Sequence, residues 1–103
     1  MKTIKKLKQT LKKNAHYIRE LKSKRKESQN GYVDGLGQAQ MEYRIGHIAY
    51  CLIRGRTPEQ IENKHRDDDQ GYVEARKYAW KEAEKLKARL EEEIANETLC
   101  LGS

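Results

Sequence analysis

Ile45-Gly46-His47-Ile48-Ala49-Tyr50-Cys51-Leu52-Ile53-Arg54-Gly55-Arg56-Thr57-Pro58-Glu59-Gln60-Ile61 is the stretch that decides the fold. From Ile45 to Ile53 only His47 is strongly polar, so a helix over residues 38–54 would be apolar nearly all round and must lie at the centre of the core. His47 is read as a packed, hydrogen-bonded histidine. Gly55 suits the left-handed position that ends a helix. Two residues later Thr57, Pro58 and Gln60 spell an N-cap, a first helical residue and the reciprocal partner of a Thr-x-x-Gln capping box. A short helix over 58–65 follows, with Ile61 as its apolar anchor.

Toward the carboxyl end, Tyr72, Ala75, Ala79, Ala83, Leu86, Leu90 and Ile94 recur at three or four residues, which predicts a long helix over 70–96. Asp67, Asp68 and Asp69 precede it and are read as capping its free N–H groups. A calcium loop is excluded. Counted from Asp67, Gly71 falls at position five instead of six and Tyr78 stands where the bidentate glutamate belongs.

Toward the amino end, residues 30–37 (Asn-Gly-Tyr-Val-Asp-Gly-Leu-Gly) form a glycine-rich turn. Its Tyr32, Val33 and Leu36 are expected to pack on the body. Residues 1–29 form a basic amphipathic helix striped by Ile4, Leu7, Leu11, Ile18 and Leu21. Asn14 is the polar slot, and the same spacing is a heptad seam able to pair with another helix. The seam stops before Arg25 and Ser28.

The expectation is a single all-α domain over residues 1–103: the basic helix, the turn, and a helical body over 38–103. Leu, Ile and Val number 18 of 103 residues and Phe is absent, below the roughly 20% at which disorder becomes an alternative. A thick β-sandwich core is therefore excluded, while one Pro and many Lys, Glu, Gln and Ala favour helices. No apolar run reaches a membrane span or a signal peptide, which predicts a cytoplasmic protein with no membrane partner. Cys51 and Cys100 show no metal or redox spacing and are read as free thiols, Cys51 in the core.

The net charge of +6 is unevenly spread. Residues 1–26 carry 11 Lys or Arg against one acid, Glu20, for +10; the remainder carries −4. Phosphate-loop, GxSxG, HExxH and GxGxxG motifs are missing, and no nucleophile has a sequence-visible base, so neither an enzyme nor a cofactor is expected. Lys5, Lys6, Lys8, Lys12, Lys13, Arg19, Lys22, Lys24, Arg25 and Lys26 surround a narrow apolar stripe and are candidate nucleic-acid contacts, able to neutralise phosphates. Tyr17 is the arm's one aromatic. Two other readings stay open: the acidic last helix can pack antiparallel on this arm, within one chain or across a homodimer, or the arm can meet an acidic host-protein surface.

Residues 49–78 resemble the helix-turn-helix of quorum-sensing and response-regulator transcription factors, on Leu52, Gly55, Thr57, Ile61 and Tyr72-Val73. The resemblance implies a shape more than DNA binding. A recognition helix presents its N-terminal residues to the groove, and Asp67 to Asp69 would there repel phosphates.

A second resemblance is more specific. Tyr43-Arg44 and residues 47–62 (His-Ile-Ala-Tyr-Cys-Leu-Ile-Arg-Gly-Arg-Thr-Pro-Glu-Gln-Ile-Glu) resemble a group of small tailed-bacteriophage proteins with a YRHxHIAYCLLRGRTxEQIE core. Many of these also have a GYVxGL loop, matched here at residues 31–36. The chain departs from the group at Ile45-Gly46 and in its long acidic last helix. The resemblance implies phage origin, hence the host cytoplasm, and a compact helical fold; it implies no reaction. The expected function is non-catalytic binding of DNA or RNA by the basic helix, with Arg54 and Arg56 assisting; the alternative is an inhibitor or adaptor of a host protein. Arg54 and Arg56 have a second reading as caps of the helix-end carbonyls.

Overall fold

The computed structural model describes residues 2–28, 33–64 and 73–102. These form four helices and no strand: α1 (Lys2–Glu27), α2 (Leu36–Ile53), α3 (Pro58–Lys64) and α4 (Val73–Gly102). The all-α expectation holds. Asp67, Asp68, Asp69 and Tyr72, together with the Gly31-Tyr32 part of the glycine-rich turn, lie outside the described residues.

α2 is the central helix, as its apolar sequence requires. One side carries Ile48, Ala49 and Cys51, which join Ile61 of α3 and Ala79 and Ala83 of α4 in a buried cluster, with Trp80 and Leu86 packed against it. Ala49, Ala79 and Ala83 have no exposed surface. Three methyl side chains at one contact allow the two helix backbones to come close, so packing here depends on smallness.

The other side of α2 receives α1, which runs antiparallel to it. Ile18 and Leu21 cluster with Leu36 and Ala39 at the start of α2, and Val33 and Tyr43 close over them. Further along, Leu7 and Leu11 reach Gly46, where an added Cβ would lie 3.0 Å from Leu11 Cδ2 and 4.0 Å from Leu7 Cδ1. The missing side chain of Gly46 thus makes room for Leu11 of α1. Burying each of these leucines and isoleucines contributes roughly 1.5–3 kcal/mol. Leu7, Leu11, Ile18 and Leu21 are buried as expected, and only the first position of the stripe differs: Thr3 is buried and Ile4 half-buried.

The result is a flat molecule of 58 × 26 × 17 Å with α1 and α4 on either side of α2. α1 and α4 meet near the start of one and the end of the other, where Thr3 N–H and Oγ1 both donate to Glu97 Oε1. The expected pairing of first and last helices therefore occurs at that end, with α2 taking most of the contact with each. α4 runs six residues beyond its expected end at Asn96.

The turn after α2 follows the sequence reading in detail. Gly55 sits at φ 85°. Its N–H bonds Leu52 O and the Arg56 N–H bonds Cys51 O, the paired bonds of a Schellman motif. Thr57 N–H donates to Gln60 Oε1 and Gln60 N–H to Thr57 Oγ1, closing the capping box.

Candidate nucleic-acid interface

Antiparallel packing of α1 on α2 places Lys8 against the last turn of α2. Its Nζ lies over the Tyr50 ring, 5.9 Å from its centre, a cation–π contact that draws the ammonium toward the end of α2. One turn beyond Tyr50 comes exposed Arg54, then exposed Arg56. Lys8, with Lys5 and Lys12 exposed on either side of it in α1, thus lies beside the end of α2 that leads into Arg54.

The other candidate residues fall elsewhere. Lys24, Arg25 and Lys26 occupy the last turn of α1, where cations complement the negative end of the helix dipole. Lys26 lies about 27 Å along the helix axis from Lys8, since each residue adds about 1.5 Å. Every Lys and Arg of α1 is exposed. Among the described residues none of them is ion-paired: the ion pairs described are local ones, His16–Glu20 on α1 and Lys77–Glu74, Lys85–Glu82 and Lys87–Glu91 on α4. The positive field of the arm is left standing.

Backbone N–H groups of Arg54, Gly55 and Arg56 occupy the Tyr50, Leu52 and Cys51 carbonyls. The guanidinium of Arg56 instead donates to Cys51 Sγ at 3.6 Å. Arg54 and Arg56 therefore act on the helix end through their backbone, and the Arg56 side chain turns back onto Cys51.

His47 and Cys51 lie four residues apart on α2, a spacing that the sequence reading passed over. Cys51 Sγ is 3.8 Å from both His47 Nδ1 and Nε2. Equal distances to both nitrogens place the sulfur on the ring's bisecting plane, off the direction of either N–H, so this is van der Waals packing and no thiol–imidazole pair. The opposite neighbour of the imidazole is Tyr43, stacked at 5.8 Å and 14°. His47 is the packed histidine expected. Among the described residues no group of three His, Cys, Asp or Glu side chains is placed to hold a metal ion, and no helix is long and apolar enough to cross a membrane.

Sequence reasoning also missed Tyr50, the platform under Lys8, although it is the aromatic nearest the arginines. Glu97 was legible only as one of the acidic residues of a last helix able to pack on the first, and its partner Thr3 was not. No protein-family model, curated protein or solved structure matches the chain.

Proposed function

We propose that this chain is a small phage-encoded, non-catalytic protein of the host cytoplasm that binds nucleic acid through α1, assisted by Arg54 and Arg56. The supporting observation is the row of exposed cations on α1, which α4 does not neutralise among the described residues although it carries exposed Glu84, Glu91, Glu92 and Glu93. Each phosphate that a lysine neutralises releases a counterion, so affinity should fall steeply with salt. The phage reading rests on the resemblance of residues 43–62.

Affinity for duplex DNA and structured RNA across a salt series tests the proposal. Binding at low salt that is lost in a Lys5, Lys6, Lys12 and Lys13 to Glu variant supports it. Absence of binding at low salt, or binding unchanged in that variant, overturns it. The exposed acidic residues of α4 favour a second reading, an inhibitor or adaptor docking on a host protein. A stoichiometric protein partner recovered from nuclease-treated lysate would favour that one.

A further inference from the structure

We infer that α1 is a helix for the major groove of duplex DNA, with one row of cations for each flanking phosphate chain. The inference rests on the nucleic-acid reading above and specifies its ligand. Successive residues turn by about 100° around a helix. With Leu7, Leu11, Ile18 and Leu21 facing α2, most of the cations fall into two rows, one on each side of the outward crest. Lys5, Lys8, Lys12 and Arg19 form the first; Lys6, Lys13 and Lys24 form the second, while Lys2 shares the angular position of Glu20 on the crest and Lys22 and Arg25 lie toward the apolar stripe. The rows lie about 120° apart around the axis, with Gln9 and His16 exposed between them.

This division selects among nucleic-acid surfaces. A helix resting along a single phosphate chain needs its cations on the crest. Here the crest carries Gln9, His16, Glu20 and Glu27, and the two glutamates would repel such a chain. A helix lying in a groove has a phosphate chain on either side and base edges in front, which is the arrangement two rows and a polar crest match. The B-DNA major groove, about 12 Å wide, admits a helix about 10–12 Å across. The deep, narrow major groove of A-form RNA does not.

A straight helix meets the curved groove over only part of its length. The amino half is the part that inserts, because there Lys8 over Tyr50 carries the first row to the end of α2, one turn before exposed Arg54. Glu20 and Glu27 then lie past the contact. Gln9 has the two-point donor and acceptor geometry that reads adenine. His16 is held in place by Glu20, whose Oε1 lies 3.0 Å from its Nε2. α4 touches the first turn of α1 at Thr3, while Lys5, Lys6, Gln9, Lys12, Lys13 and His16 stay exposed.

The test compares the full chain on a DNA duplex of about two helical turns, the RNA duplex of the same sequence, and single-stranded DNA, all at low salt. Expected are binding to duplex DNA at least about tenfold tighter than to either other probe and protection of guanine N7 from dimethyl sulfate. Reversing either row alone, as Lys5→Glu with Lys12→Glu or Lys6→Glu with Lys13→Glu, should weaken DNA binding by about tenfold or more. All four positions are exposed, and circular dichroism checks that the variants keep their helices. Equal affinity for the RNA duplex, unprotected guanine N7, or sensitivity to one row only overturns the groove inference while nucleic-acid binding stands. Absence of binding to all three probes by folded protein overturns both.

Discussion

Glu97, near the end of α4, caps α1 at Thr3: its Oε1 accepts from the Thr3 backbone N–H at 2.9 Å and from the Thr3 hydroxyl at 2.8 Å. The first turn of α1 contains no acidic residue of its own. A carboxylate from the opposite end of the chain therefore supplies both the acceptor for a free N–H and the negative charge that the helix start favours.

Removing that carboxylate as Glu97→Ala should lower stability by roughly 1.5–3 kcal/mol, the range for hydrogen bonds to a charged group. Glu97→Gln keeps an acceptor oxygen and should lose less. Urea denaturation of the two variants beside the parent checks the order; equal losses would mean that the cap is not the cause.

Leu11 of α1 sits over Gly46 of α2, so side-chain size there should be limited. Gly46→Ala gains about 1 kcal/mol of helix propensity but pushes on Leu11, and should end within about 1 kcal/mol of neutral. Gly46→Leu has no room and should destabilise by about 1–3 kcal/mol. A thermal melt of Gly46→Leu with and without Leu11→Ala should show partial rescue, the signature of two side chains in contact.

Ala83 has no exposed surface and Ala88 is exposed on the same helix. Ala83→Leu should destabilise by about 1–3 kcal/mol through overpacking against α2. Ala88→Leu should stay within about 0.5 kcal/mol. Chemical denaturation of this pair separates core contact from helix propensity, since the substitution is the same.

At the α2–α3 turn, Gly55→Ala meets no neighbouring atom within 4 Å, so its cost is purely that of the positive φ, about 1–2 kcal/mol. Thr57→Ala removes one half of the capping box and should cost about 1 kcal/mol. Fluorescence of Trp80, which packs on this core, follows both unfolding transitions.

Local chemistry was the part of the fold legible in the sequence. Gly55, Thr57 and Gln60 act on neighbours within five residues, and α2 announces itself because from Ile45 to Ile53 it is apolar nearly all round. The stripe of α1 was displaced at Ile4 because the buried position there belongs to a hydrogen-bonding residue, Thr3, whose partner lies 94 residues away. Periodicity carries no information about such a partner. The cations of the candidate interface were legible as a cluster; their division into rows needed the direction in which Leu7, Leu11, Ile18 and Leu21 face. Lys8 joined Arg54 only through the antiparallel packing of α1 on α2.

The Thr3–Glu97 contact also orders events during synthesis. α1 is made before α4, and at about 5–20 residues per second the ribosome needs roughly 5–20 s to pass from one of these residues to the other. Until then the first turn of α1 has no acceptor from α4, and the helix bearing half of the chain's lysines and arginines is the one waiting. A nascent chain that stalls before Glu97 therefore presents its basic segment without the lock that the finished protein places on it.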